Sequence, residues 1–236
     1  MTPQSLFVTG TDTNVGKTIC TALLALHFIQ QGADVGIMKP IASGCEIQNG
    51  ELINDDARWL RKITGINDEM ELINPVRYVE PLAPLTAARR NQESTTDVLQ
   101  KCQEAYAELA RRHEVVIVEG VGGWMVPLAH HKSTFSDCSN LVKALQLPIV
   151  TVSRRVLGTI NHSLLTWRAI APQQMLGWIF CDSAPIDPND IAAETSPALI
   201  AEISGLPVLA QMPFLENLTQ DVLNEAAQKY FLATSS

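Results

Sequence analysis

The chain of 236 residues has little that would suit a membrane, secreted or zinc-cluster protein. No apolar run approaches the roughly 18–20 residues that a bilayer-spanning helix needs, so we expect no membrane association. The five cysteines are scattered, odd in number and never spaced as C-x-x-C. This argues against a disulfide framework or a zinc site and favours a reducing compartment, so we expect a cytoplasmic protein.

Positive charge is also scarce. The chain has 17 Lys and Arg against 25 Asp and Glu, a net charge of −8. This balance argues against a broad nucleic-acid surface, so we expect no nucleic-acid partner, and local cations must bind any anionic ligand. Hydrophobic residues make up 46% and charged residues 18% of a chain long enough for one globular α/β domain.

Six short apolar runs, rich in β-branched residues, alternate with helical patterns along the chain. We predict strands in SLFVTG, ADVGIMKP, EVVIVEG, LPIVTVS, MLGWIF and LPVLAQMP. Helices are predicted over residues 17–31, 55–63, 96–113, 136–146, 159–171, 188–204 and 219–231. This alternation predicts an α/β fold, a mostly parallel sheet with helices on both faces, whose ligands bind at the carboxyl ends of the strands. Residues 64–95 are weakly periodic, and we predict an irregular excursion near that site.

A candidate phosphate loop follows the first predicted strand. The stretch GTDTNVGKT nearly matches G-x-x-x-x-G-K-[ST], but its first glycine is Gly10 and not residue 11. The strand before it and the helix after it are the context that the motif requires, although an ordinary strand–helix turn is the alternative. In a working loop, backbone N–H groups would surround the phosphates, Lys17 would reach the terminal ones, and Thr18 would ligate Mg²⁺.

Polar residues end two other predicted strands. Lys39 should project into the cleft, either as a solvated strand end or as a second cation on the transferring phosphoryl group. Glu119 ends the apolar run VVIV, where an unpaired carboxylate is costly and Mg²⁺ is a natural partner. In the stretch NDDA, capping of a helix by Asn54 or Asp55 is the simplest explanation for the polar residues.

The whole chain carries motifs of one family. FVTGTDTNVGKT resembles the start of dethiobiotin synthetases, whose loop has five residues between its glycines. KPIASG, NDDA, EPLAP, VEGVGGWMVPL, LPIVTVS, LGTINHSLLT and GWIFCDS continue the resemblance in register. It implies a P-loop NTPase fold, with residues 1–236 forming a single P-loop ATP-binding ligase domain.

The resemblance also implies a role for individual residues. Lys17 and Lys39 would be catalytic, and Mg²⁺ would be held by Thr18, Asp56 and Glu119. Substrate contacts would come from Thr13, Ser43 and Asn161, the last at a helix start that holds the substrate's carboxylate tail from the neighbouring subunit; a simple turn asparagine is the alternative. ATP would be bound by Asn14, Val15, Gly16, Lys17, Thr18, Ile19, Asp56, Glu119, Gly120, Val121, Gly122, Cys181, Asp182, Pro213, Phe214 and Leu215.

By the same resemblance, the substrates are 7,8-diaminononanoate, CO₂ or bicarbonate, and ATP, and the enzyme is a homodimer. A carbamate would be phosphorylated to a carbamic–phosphoric anhydride, and the second amine would close the cyclic urea, releasing ADP and phosphate. A partner-regulated P-loop ATPase of the iron-protein or positioning type would share the fold, but such relatives usually carry an extra lysine near the loop's start. An amide-forming relative of the cobyrinic-acid type would need a glutaminase domain.

Three positions depart from the family pattern. Asn14 stands where the best-known members have an acid, and Phe214 replaces a tryptophan. Cys181 stands where the pattern has an asparagine, whose amide can match adenine's donor and acceptor together. A thiol offers no such pair, so we expect relaxed nucleotide choice, unless backbone groups near Asp182 or Pro213 read the base and Cys181 only packs.

Overall fold

The computed structural model describes residues 1–2, 4–171 and 173–231. Its centre is a six-stranded sheet in the order β12-β11-β10-β1-β7-β2, with every neighbouring pair parallel. The strands of this sheet are β1 (Leu6–Gly10), β2 (Val35–Met38), β7 (Val115–Glu119), β10 (Ile149–Ser153), β11 (Met175–Cys181) and β12 (Val208–Met212).

Three two-stranded pairs surround the main sheet. One is parallel and two are antiparallel. Their strands are β3 (Ile41–Ala42) with β6 (Val76–Arg77), β4 (Glu46–Gln48) with β5 (Glu51–Ile53), and β8 (Ala129–His131) with β9 (Thr134–Ser136).

Helices cover both faces of the main sheet. They are α1 (Lys17–Gln30), α2 (Asp55–Thr64), α3 (Met70–Ile73), α4 (Pro84–Arg90), α5 (Val98–Arg112), α6 (Cys138–Leu145), α7 (Thr159–Ile170), α8 (Ile191–Ser204) and α9 (Gln220–Phe231). Among the described residues, none of these helices is long and apolar enough to cross a membrane.

Alternation along the central strands fills a core on each face. Leu6 and Val8 of β1 pack into the cluster beneath α1, α2 and α9, whereas Phe7 enters the opposite cluster with α5 and α6. Because successive side chains of a strand point to opposite faces, both faces of β1 must be apolar. Its nearly continuous apolar sequence therefore reflects a central strand covered on both sides.

The predicted α/β fold is confirmed, and the six predicted sheet strands and seven predicted helices are all present with small shifts at their ends. The prediction of residues 188–204 began too early: α8 starts at Ile191, because the Asp190 side chain accepts the Ala193 N–H at 3.1 Å and caps it. The prediction of an irregular 64–95 segment was wrong in part. It contains α3, β6 and α4, which are too short to show a period in the sequence.

Candidate active site

A cleft of about 900 Å³ opens at the carboxyl ends of the central strands. It is lined by residues that follow β1, β2, β7, β11 and β12. Of the predicted site residues, the cleft brings together Thr13, Asn14, Gly16, Lys17, Thr18, Ile19, Lys39, Ser43, Asp56, Glu119, Gly120, Val121, Gly122, Cys181, Asp182, Pro213, Phe214 and Leu215.

The lengthened phosphate loop is tightly packed. A Cβ at Gly10 would lie 2.6 Å from the Val15 side chain, so the loop can fold back on itself only with glycine at that position. Gly16 has φ of 92°, which favours glycine, and a Cβ there would lie 2.5 Å from the Cys181 sulfur. Gly16 is therefore favoured by its backbone conformation and Gly10 by its packing against Val15, even though Gly10 is displaced by one residue from the usual spacing.

Lys17 begins α1 and turns back over the loop. Its Nζ donates to the Asp12 carbonyl oxygen at 2.7 Å, and the residue is buried. Burial lowers the pKa of Lys17, and the nearby Glu119 carboxylate opposes that change. The ammonium is thus held among backbone groups of the loop that are suited to bind an anion.

A second lysine joins two carboxylates beside the loop. Lys39 Nζ lies 2.8 Å from Glu119 Oε1 and 2.8 Å from Asp56 Oδ2. The Thr18 hydroxyl donates to the same Glu119 Oε1 at 2.8 Å. Burial disfavours the charged form of Lys39, but Glu119 and Asp56 outweigh it and hold the pKa of the lysine above its usual value. Four predicted site residues therefore meet in one polar cluster.

One oxygen of this cluster is left over. Glu119 is 1% exposed, and its Oε2 is buried without a hydrogen-bond partner among the residues that the structure describes. The Ser43 hydroxyl is likewise buried at the cleft and unpartnered within the described chain. Buried polar atoms are usually satisfied, so these two atoms mark the positions where a ligand is most expected to bind.

Local backbone structure sets the positions of Lys39 and of the exposed Asp56. Lys39 follows β2, where its N–H donates to the Ile73 carbonyl at 2.7 Å and its carbonyl accepts from Asn74 Nδ2 at 2.6 Å. The Asn54 side chain accepts the Ala57 N–H at 3.0 Å and caps α2, which places Asp56 in the first turn facing the cleft. Of the two predicted candidates, Asn54 and Asp55, it is therefore Asn54 that caps α2.

The other end of the cleft is formed after β11 and β12. The Cys181 thiol is buried and packs against Gly16. It also lies within hydrogen-bonding reach of Cys20, and this contact together with burial raises the pKa of Cys20 well above its usual value. Asp182 is buried as well, and Arg155 donates to both of its carboxylate oxygens.

Two predicted site residues lie outside the cleft. The Val15 side chain is fully buried in the core beneath the loop. Asn161 is exposed in the first turn of α7, which begins after Gly158 in a left-handed conformation, with φ of 91°. A single chain therefore does not bring Asn161 to the other predicted residues.

The cleft also has walls that the sequence analysis did not assign. Trp59 lines it three residues after Asp56, on the same face of α2. Leu82 and Ala83 line it from the stretch before α4, and Pro84 lines it as the first residue of that helix. The motif EPLAP pointed to that stretch, whereas Trp59 had only its helical spacing from Asp56 as a signal.

A parallel sheet, a phosphate loop after its central strand and a lysine–threonine pair opening the next helix define this protein as a P-loop nucleotide-binding protein. The signal recognition particle 54 kDa protein of Aeropyrum pernix, solved in complex with GDP, has a similar fold with a TM-score of 0.52 at 14% identity. That similarity covers 97% of this chain but 50% of the other, so this chain spans half the length of that structure.

Sequence comparisons are more specific. A family model described as an AAA domain matches residues 4–222. An ATP-dependent dethiobiotin synthetase of Thermodesulfovibrio yellowstonii is 40% identical over 230 residues, 95% of each chain. One from Bacillus velezensis is 35% identical over 98% of this chain and 96% of its own. The chain belongs to the dethiobiotin synthetase family and is an enzyme of the ATP-dependent ligase class.

Proposed function

We propose that this enzyme uses ATP and Mg²⁺ to convert 7,8-diaminononanoate and CO₂ into dethiobiotin, releasing ADP and phosphate. The observation that carries the proposal is the meeting of Lys17, Lys39, Thr18, Asp56 and Glu119 around the phosphate loop, in a chain of this family. Residues 1–236 would act as one ligase domain.

The proposed reaction proceeds in three steps. One amine of the substrate adds to CO₂ and loses a proton, giving a carbamate. A carbamate oxygen attacks the γ-phosphorus of ATP, the bond to the bridging oxygen breaks, and ADP leaves. The second amine then attacks the carbonyl carbon of the resulting carbamic–phosphoric anhydride, closing the cyclic urea and expelling phosphate with loss of a proton.

The two lysines suit the phosphoryl transfer. Such a transfer needs positioning and charge neutralisation more than covalent help from the protein. Lys17 would neutralise the terminal phosphates from within the loop, and Lys39 would do so from the end of β2, beyond the adjacent β7. Because their bonds to Asp12, Asp56 and Glu119 already hold the ammonium groups in place, little reorganisation is needed when charge develops.

The residues present also fit Mg²⁺. Thr18, Asp56 and Glu119 would hold it, and the unpartnered, buried Glu119 Oε2 is a donor of the hard oxygen type that this cation takes. Among the described residues, no group of three or more His, Cys, Asp or Glu side chains is arranged to hold a metal ion. Phosphate oxygens would complete the coordination, since Mg²⁺ is usually bound by one or two carboxylates together with substrate phosphates. When bound, the cation would neutralise the β- and γ-phosphates.

The remaining parts of the cleft would recognise the two substrates. Thr13, within the phosphate loop, and Ser43, whose buried hydroxyl has no hydrogen-bond partner among the described residues, both line the cleft and would contact the diamine. The nucleoside would lie toward Cys181, Asp182 and the segment 213–215 at the other end.

A homodimer would bring in the residue that lies outside the cleft. Asn161 is exposed, and Leu165 lies one turn further along the same face of α7 and is 58% exposed. Leu157, just before the helix, is 89% exposed. Large apolar side chains on both sides of Asn161 favour an interface, across which the α7 start of one subunit would hold the carboxylate tail of the diamine in the other.

The decisive test is substrate-dependent phosphate release. With Mg²⁺ and ATP, phosphate should appear in proportion to dethiobiotin, and only when both the diamine and bicarbonate are present. Equal release without the diamine would instead favour a partner-regulated P-loop ATPase. Omission of Mg²⁺, with EDTA present, should abolish both signals.

A further inference from the structure

Arg155, which does not line the cleft, forms an ion pair with Asp182, which does. Arg155 Nε donates to Asp182 Oδ1 at 3.0 Å, and its Nη2 donates to Oδ2. The Asp182 side chain is 3% exposed and lines the cleft, whereas Arg155 is 22% exposed and does not line it. The pair is bidentate, a geometry that fixes the orientation of the carboxylate as well as its position.

This pair also ties together the ends of three neighbouring strands. Arg155 follows β10, and its Nη1 donates at 3.4 Å to Gln211 Oε1 of β12. Asp182 follows β11, and its N–H donates at 3.0 Å to the Met212 carbonyl at the end of β12. The loops that leave β11 and β12 carry the residues placed at the nucleoside end of the cleft. One guanidinium thus links the loop after β11 to the end of β12, next to the segment 213–215 of this wall.

We propose that Arg155 is a positioning residue for nucleotide binding, holding the nucleoside end of the cleft in shape through Asp182. This inference rests on the proposed function in so far as it takes ATP to be the ligand. A buried carboxylate deprived of its partner must neutralise or turn toward solvent, and Asp182 lines both the cleft and a smaller cavity of about 140 Å³ that Arg155 also lines. A free carboxylate that turned into the cleft would disturb the base wall and repel the triphosphate.

Arg155 should affect binding of the nucleoside part of the ligand and not binding of its phosphates. The phosphate loop, with Lys17, belongs to β1 and α1, and within the described chain Arg155 makes no hydrogen bond or ion pair with that loop. The neighbouring Arg154 is the one that approaches it, with Nη2 3.9 Å from Asp12 Oδ2. Loss of the Arg155 guanidinium should therefore weaken a ligand that carries a base and spare one that is phosphate alone.

The experiment compares the binding of ATP with that of inorganic tripolyphosphate, each with Mg²⁺, by calorimetric titration of the full chain. Arg155→Met should raise the Kd of ATP about 5- to 30-fold, the upper part of the range of an indirect coupling, and change the Kd of tripolyphosphate less than about twofold. Arg155→Lys should be intermediate, because lysine keeps the charge but cannot form the bidentate fork. Arg111→Met, which removes a surface arginine paired with Glu108, is the matched control.

A double variant distinguishes the loss of positioning from misfolding. Arg155→Met combined with Asp182→Asn removes the uncompensated charge and should recover part of the ATP affinity. Equal losses for both ligands in the folded variants, or unchanged ATP binding, would overturn the positioning role. Failure of the unmodified protein to bind ATP would instead overturn the proposed function, so the two failures are distinguishable.

Discussion

At the scale of single residues, the most informative contact is the one that Lys39 makes with two acids at once. Its Nζ lies 2.8 Å from both Asp56 and Glu119, which are themselves the proposed ligands of Mg²⁺. The raised pKa of Lys39, to which these acids contribute against the effect of burial, keeps it charged at neutral pH. A permanently cationic group therefore lies beside the position proposed for the γ-phosphate.

Lys39→Ala and Lys17→Ala should each lower kcat by about 100-fold or more, as expected when one preorganised charge stabiliser is lost. Single-turnover dethiobiotin formation at saturating ATP separates this effect from weaker binding. Lys62→Ala, an exposed lysine on α2, should behave as the unmodified enzyme. Full turnover by Lys39→Ala would remove that residue from the catalytic machinery.

Gly16 illustrates how the loop and the base wall constrain each other. Gly16→Ala should destabilise the protein, because φ of 92° costs about 1–2 kcal/mol for a residue with a Cβ, and the new methyl meets the Cys181 sulfur at 2.5 Å. Overpacking of this kind adds about 1–3 kcal/mol. Adding Cys181→Ala should relieve the contact with the sulfur and recover part of the packing cost, because the Cβ at 181, 3.0 Å from the new methyl, remains. Urea unfolding of Gly16→Ala, Cys181→Ala and the double variant checks this, and no gain in the double variant over Gly16→Ala would contradict the contact.

Site residues that end strands could be predicted from the sequence. A residue that affects the site only by holding another side chain could not. Lys39 and Glu119 stand directly after apolar runs, so their convergence followed from the parallel sheet. Arg155 was visible only as one of two adjacent arginines, because its partner lies 27 residues away in the next strand's loop. The packing of Cys181 against Gly16 and Cys20 supports the alternative that this thiol packs, although it also lines the cleft.

At the scale of elements, long periodic segments were predictable and short ones were not. Each strand of the main sheet has at least four residues, enough for an apolar run to stand out. The pair β3–β6 consists of two residues per strand and forms only because Lys39 and Pro40 lead the chain past residues 75–77. Such elements depend on tertiary contacts, which no local pattern encodes.

At the β2 edge of the sheet, His113 contacts Asp34 and Asp68 and so joins three elements. These three residues are called the histidine clamp. His113 follows α5, and its Nδ1 lies 2.8 Å from Asp34, which precedes β2. Its Nε2 lies 2.9 Å from Asp68, which precedes α3 and also contacts Arg112 at 3.4 Å. Burial disfavours the charged imidazole, but the two carboxylates outweigh it and raise the pKa of His113.

This clamp should make stability depend on pH in a defined direction. Because the pKa of His113 is higher in the folded state, its contribution is complete below the unfolded value of about 6.5 and is lost as pH rises through the folded pKa. The free energy of unfolding should thus fall over this window by more in the unmodified protein than in His113→Gln. Urea titrations at several pH values test this, with His131→Gln as control, and parallel curves for all three proteins would contradict it.

At the scale of the whole molecule, the strand order explains why the cleft has two ends that differ in their residues. β1 lies at the centre, with β7 and β2 on one side and β10, β11 and β12 on the other. The charged cluster of Lys39 and Glu119 comes from the first side, and Cys181 and Asp182 come from the second. The phosphate loop between them is where a nucleotide would cross from one half to the other.

The last prediction concerns the proposed homodimer, because Asn161 of a single chain lies outside the cleft. Leu165→Asp should shift the proposed homodimer toward monomers, since a charge would replace an apolar side chain on the exposed face of α7. The diamine KM should then rise about tenfold or more, as for a loss of about 1.4 kcal/mol, while the Kd of ATP changes little. Light scattering under assay conditions reports the assembly, and Ile47→Asp, at a 68% exposed apolar residue on β4, is the control. Asn161→Ala should raise the same KM without dissociating the dimer. A fully active, monomeric unmodified enzyme would show instead that each subunit holds the whole substrate by itself.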